Sequence, residues 1–452
     1  MGSHEPEHFS FKKPKVQSKA YRKNYSLLTK HEHFSQNYEG LHARPFPVLS
    51  TPFRTSQLCF LHDESYSHES ELILLREICQ RYSVNPPGKD ISCFYQDLGG
   101  YEIRWERHTE FSSYTFLLND RDENLFTSTP IELIPIDWLQ RLPGKVISAV
   151  HLEALDVTSV NLEKNSLRQY FEGQRLIGSK LHHGEASIYS AMRLHSDSFN
   201  RILMVNNSLN ECQNGRVLRS LLEIEAYRNM ALLAFPLAQE VSAKVSQMES
   251  QLAQLLKAQN SKKSSTDEKH QLTVLSEMAA IIAELITNSR YRFDAGTAYY
   301  QMVESRLEEL EEQEITELQT LTSFIERRLS PACRTVLATK RRLDDLASRV
   351  NRASDLLRTR INMVIETQNQ ALLQSMDRRA KMQFNLQQTV EGLSVVVMTY
   401  YVLQLFDYML EAADSLGWNT NKALSISMLM PVVFASVWFL GQRIKKRLNN
   451  IE

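Results

Sequence analysis

This sequence has little that would mark an enzyme. Its five cysteines, Cys59, Cys79, Cys93, Cys212 and Cys333, are scattered and form no C-x-x-C pair. That points to reduced thiols in a cytosolic environment and away from a disulfide or zinc framework. No G-x-x-x-x-G-K-[ST] phosphate loop, G-x-G-x-x-G fingerprint or G-x-S-x-G nucleophile elbow is present. Neither sign of charge is in excess. The formal net charge is -1, so no basic surplus argues for nucleic acid as a partner. The opening MGSHEPEHFSFKKPKVQSKAYRKNYS has no apolar run, which argues against a secretory signal. Pro6 stands where a myristoylation site needs Ser or Thr. This basic stretch reads as a disordered polar tail or as one that touches anionic lipid.

What is present is enough for two or three domains: 452 residues, 42% hydrophobic and 23% charged. Four zones follow from the pattern, and the expected fold class is α+β. Residues 1–36 are the polar tail. Residues 37–215 read as a cytoplasmic α/β domain. Strands are expected at 54–62, 91–96, 101–107, 113–118 and 145–153, with a hairpin turn at Asp97-Leu98-Gly99-Gly100. Leu72, Leu75, Ile78 and Cys79 give residues 68–82 the spacing of an amphipathic helix. Trp138 falls in a short helix. Residues 176–179, 186–194 and 201–206 read as a meander with His182-His183-Gly184 at a turn.

Residues 216–386 read as long helices. One is expected over 217–257 with a kink at Pro236, a second over 271–329 ended by Ser330-Pro331, and a third from Cys333. In the third, Leu343, Leu346, Val350, Ala353, Leu357, Ile361, Val364, Gln368 and Ala371 recur at three- and four-residue steps. Such a seam serves either a single packing against a neighbouring helix or a self-associating stalk.

Residues 387–452 contain two apolar stretches, 392–410 and 423–440. At about 28 Å as a helix, the first matches the hydrocarbon layer. Together they predict a two-helix transmembrane hairpin; the alternative is a pair of buried core helices. A continuous helix from Arg334 into the first stretch would be on the order of 115 Å long. Arg378, Arg379 and Lys381 precede the first stretch, and Arg443, Lys445, Lys446 and Arg447 follow the second. The positive-inside tendency then leaves both termini in the cytoplasm.

In the first apolar stretch and just beyond it, Gln404, Asp407, Glu411 and Asp414 step by three, four and three residues, which puts them on one helix face. In a symmetric oligomer they would form stacked acidic rings that attract cations. Alternatively, Glu411 and Asp414 lie beyond the bilayer and Asp407 snorkels. Among soluble residues, His31, His33 and His42 lack an acid or cysteine at ligand spacing.

The segments Leu41-His42-Ala43-Arg44-Pro45-Phe46, Tyr291-Arg292-Phe293-Asp294-Ala295, Ala298-Tyr299-Tyr300 and Leu386-Gln387-Gln388-Thr389-Val390-Glu391-Gly392-Leu393-Ser394-Val395 resemble a bacterial family of uncharacterised, predicted membrane-anchored proteins, domain of unknown function 3422. That resemblance implies anchoring in the bacterial inner membrane and supplies no reaction. The order of zones is similar to CorA-type magnesium transporters, which are funnel-shaped pentamers. That family carries Gly-Met-Asn after its first membrane helix. Gly417-Trp418-Asn419 stands near that place and departs at Trp418. The CorA likeness implies a homo-oligomer, pentameric by analogy, with a divalent cation such as magnesium as its ion and no other cofactor. Three functions remain: a cation-conducting or cation-sensing oligomer, a non-conducting membrane-anchored scaffold or sensor, and a tethered enzyme, which has the least support.

Overall fold

The computed structural model describes residues 29–32, 34, 46–63, 66–89, 91–121, 124–159, 163–259, 265–415 and 422–448. It is an α+β protein with an N-terminal sheet and long C-terminal helices. The chain divides into two compact units, Met1–Gln254 with Met278–Arg349, and Leu255–Glu277 with Val350–Glu452.

In the first unit, the described strands are β1 (Phe53–Leu61), β2 (Cys93–Asp97), β3 (Glu102–Arg107), β4 (Phe111–Leu118), β5 (Lys145–Asp156), β6 (Ile177–Leu181), β7 (Ala186–Leu194), β8 (Asn200–Asn206) and β9 (Gln313–Glu314). They form one sheet in the order β2-β3-β4-β1-β5-β8-β7-β6-β9. Two antiparallel halves meet at a parallel pair, β5 with β8. The β2–β3 turn closes as its residues predict. Gly99 takes φ 83° and its N–H donates to Asp97 Oδ1 at 2.8 Å.

Strand alternation assigns the two faces. On β4, Tyr114, Phe116 and Leu118 join Trp105, Trp138 and helix α1 (His68–Arg81) in one core. Phe111 and Leu117 point into the other. Helix α1 buries Leu72, Leu75, Ile78 and Cys79, the stripe expected of it. Trp138, on the short helix α2 (Ile136–Leu139), anchors it by donating its Nε1–H to the Leu74 carbonyl at 2.8 Å. On β8, Leu203 and Val205 face a third cluster with Phe171, which follows helix α3 (Lys164–Tyr170).

The second core is closed by helix α4 (Glu211–Leu232) with parts of α6 (Ser265–Glu309) and α7 (Leu321–Ser415). Helix α4 starts six residues before the expected point because Asn210 and Gln213 form a capping box. Gly215, in its first turns, lies so close to the Pro47 carbonyl that a Cβ there would stand 1.6 Å from the oxygen. The expected single helix over 217–257 is two helices. Helix α5 (Ala234–Gln259) follows a break at Leu233. Leu233 keeps right-handed helical angles, φ −60° and ψ −25°, so the chain kinks one turn before Pro236, which has no N–H for the carbonyl of Leu232 and whose ring crowds that position.

Helix α7 corrects a second expectation. Pro331 ends no helix; it lies inside α7, which begins at Leu321. The missing hydrogen bond is outweighed by the burial of Leu329, Ala332, Cys333 and Val336 around it. Within this unit α7 is tied to α5 by Arg342, which reaches Glu249 at 2.6 Å and Ser246 at 2.9 Å. Lys340 ties it to Asp294 on α6. Arg292 of α6 grips Glu110, beside β4, through bonds of 2.7 and 3.1 Å.

The second unit contains the end of α5, the start of α6, the rest of α7 and helix α8 (Lys422–Leu448). Val350, Ala353 and Leu357 are buried, and Arg360 pairs with Glu268 of α6 at 3.0 Å. The predicted seam therefore divides. Leu343 through Leu357 is covered within the chain, Ile361 and Val364 are half-buried, and Gln368 and Ala371 are exposed.

Candidate functional site

One uninterrupted helix, α7, carries the predicted acidic face. Gln404 and Asp407 are half-buried, whereas their apolar neighbours Leu405, Tyr408 and Met409 are 64%, 60% and 66% exposed. Glu411 is exposed, and Asp414 lies in the last helical turn before Ser415. Thr399, two turns before Asp407, is buried and donates its hydroxyl to the Val395 carbonyl at 2.7 Å, so it spends no polar group on solvent. On α8, Val433 is buried. The motif Gly417-Trp418-Asn419 lies outside the described residues, as do His33 and His42. The basic flank Arg378, Arg379 and Lys381 is exposed on α7, with Lys381 paired to Asp377 at 2.8 Å. Arg443 is exposed on α8, and Lys445, Lys446 and Arg447 fall on its last turns.

Among the described residues, three helices are long and apolar enough to cross a membrane, within Asp267–Glu309, Leu321–Ala412 and Ala423–Arg443. The last two differ from the first in how little of the apolar window is covered: 6% in each, against 22%. Beyond its window, α6 commits Tyr299, Val303 and Leu307 to the core beside the sheet.

The sheet unit has a polar centre that the sequence did not reveal. Glu71 is fully buried. Its Oε1 accepts from the Tyr114 hydroxyl at 2.7 Å, and its Oε2 accepts from Tyr66 at 2.7 Å and Ser112 at 3.0 Å. The Ser112 hydroxyl is also 2.9 Å from His62 Nε2. Burial lowers the His62 pKa, and burial with the carboxylate beside it raises the Tyr66 pKa to about 12. His62 and Tyr66 line an open depression with Ser92, Arg107, His108 and Thr109. Read in sequence, Glu71 is simply a first-turn acid of a helix; only the fold brings three hydroxyls to it.

A narrower cleft lies between β3 and α4, and its charges are paired: Arg104 with Glu106 at 2.6 Å and Arg219 with Glu223 at 2.7 Å. Burial pushes the thiols of Cys59 and Cys79 upward, which disfavours nucleophilic thiolate there. His182 and His183 sit in a tight turn with positive φ, each within 3.6 Å of Glu311. Among the described residues, no group of three or more His, Cys, Asp or Glu is placed to hold a metal ion. The tail does spell H-E-x-x-H once, at His4–His8, outside the described residues.

Residues 29–448 match the family described as Protein of unknown function (DUF3422). No curated protein and no solved structure matches the chain.

Proposed function

The chain belongs to the DUF3422 family, and from that premise we propose that it is a membrane-anchored, homo-oligomeric protein that conducts or senses cations. Helix α8 and the apolar end of α7 form a two-helix hairpin across the bacterial inner membrane, with both termini cytoplasmic. The basic clusters at 378–381 and 443–447 hold that orientation. Helix α6 is left out of the hairpin, because Tyr299, Val303 and Leu307 at its C-terminal end are committed to the core beside the sheet.

The observation that carries this reading is the distribution of polarity on α7. Gln404 and Asp407 lie on its more covered side, together with Val402, Leu403 and Leu410, while Leu405, Tyr408 and Met409 are exposed. A water-soluble helix does the reverse. A carboxylate at this depth is stable when it faces a bundle interior or an aqueous path. Repeated around an axis, Asp407 and Glu411 give rings of negative charge that select cations and replace part of their hydration. A divalent ion such as magnesium suits oxygen ligands of this kind.

The test is cation flux into liposomes holding the purified full-length chain. Magnesium entry is expected with the wild-type protein and is lost on Asp407→Ala combined with Asn419→Ala. No flux, or flux unchanged in the double variant, would sink transport. The departure at Trp418 from the CorA filter favours a second reading, a non-conducting scaffold or sensor. Stoichiometric co-purification of one partner, with no flux, would support it.

A further inference from the structure

From Ile361 onward α7 loses its cover within the chain, and a seven-residue register displaced by one residue from that of Leu343, Val350 and Leu357 takes over. Ile365, Leu372, Leu386 and Leu393 repeat at one heptad position, interrupted by Arg379, and Met382 and Val396 alternate with Gln368, Ser375 and Thr389 at the complementary one. All six apolar residues are exposed. The same register reaches Asp407 and, at the level of the backbone, Asp414. Off this seam lie Glu366, Asp377 and Lys381, and Asp377 and Lys381 pair with each other on the outer side. Residues 361–391 precede the apolar segment and carry this mixed charge, so lipid does not cover their exposed leucines and methionines.

We infer that residues 361–414 of α7 are a parallel self-association seam whose occupant is further copies of this chain. This rests on the membrane reading above and adds the register and the residues. A single partner must cover both the aqueous part of the seam and its continuation among membrane-embedded residues, over roughly 70 Å from Ile361 to Asp407. A second copy has a matching stripe of matching length, with Glu366, Asp377 and Lys381 outside it. The positions flanking the seam, among them Val364, Ala371, Met376 and Val390, are uncharged except for Arg378. A seam this wide suits a bundle of more than two helices. Arg379 is the one charge on the aqueous seam. Next to the small Ser375 layer it fixes the register at a cost in stability, as a lone polar residue in a coiled-coil core does. Through this register the seam turns Asp407 toward the shared axis.

The test is disulfide cross-linking of the full-length chain in native membranes, with Cys93→Ser and Cys212→Ser as background, since Cys59, Cys79 and Cys333 are buried. Cross-linked oligomers are expected for Leu372→Cys and Leu386→Cys, on the order of tenfold above the outer positions Gln370→Cys and Asp377→Cys, where the Cβ atoms stand too far apart to bridge. The mass of the detergent-purified particle is expected to fall for Leu372→Asp with Leu386→Asp and to hold for Asp377→Ala. Equal yields on both faces, or a monomeric wild-type mass, would overturn the inference. Seam cross-links without cation flux uphold the seam and remove conduction. Flux without seam cross-links does the opposite.

Discussion

Lowering the pH from 7 to 4 charges His151 in the unfolded chain well before it does so in the folded one. His151 lies on the central strand β5, 2% exposed, with its ring stacked on Phe199 at 3.9 Å. Its Nδ1 is 2.9 Å from the Ser56 hydroxyl, which also accepts from the Ile131 N–H at 3.3 Å. Among the described residues, no charged group is hydrogen-bonded to the ring, and burial favours its neutral form. Burial lowers the His151 pKa to about 4 from the ordinary 6.5. The stability this histidine permits is therefore fully present above about pH 6.5 and is lost as the pH falls toward 4. A shift of that size corresponds to about 3 kcal/mol, an order-of-magnitude figure. The assay is guanidinium unfolding of the full chain in detergent, followed by the fluorescence of Trp105 and Trp138, both fully buried in this unit. Between pH 7 and pH 4 the wild type is expected to lose about 3 kcal/mol more than His151→Asn, which cannot titrate. Parallel losses in the two proteins would refute the reasoning.

Two further predictions test the fold. Glu71→Leu leaves the buried Tyr114 and Ser112 hydroxyls without their carboxylate acceptor, so unfolding free energy is expected to drop by about 2–4 kcal/mol; unchanged stability would mean that the carboxylate network is not holding α1 to the sheet. Gly215→Ala forces a carbon onto the Pro47 carbonyl, and a loss of about 3 kcal/mol or more is expected. An unaltered melting temperature for that variant would contradict the close approach.

Local pattern carried much of this structure. Strand alternation located β1, β4 and β5 within a residue or two at most ends, and the Leu72–Cys79 stripe located α1. The apolar ends of α7 and α8 were legible from composition alone. What escaped depended on distant partners. The parallel pairing of β5 with β8 joins residues some fifty positions apart, and no periodicity encodes it. Pro331 was read as a helix end because propensity is local, whereas the packing that carries α7 through it is not. Glu71 was invisible as a polar centre for the same reason: it lies on α1, and Ser112 and Tyr114 reach it from β4. At the candidate membrane site, the spacing of Gln404, Asp407 and Glu411 gave the face, and the structure added which side of α7 is covered.

The most direct test of the account is an image of the assembled full-length particle in a lipid bilayer. The account predicts several copies of α7 around one continuous axis, with Asp407 turned toward it and α8 outside. A monomer with a single unpaired hairpin, or an assembly whose axis is lined by other residues, would contradict it.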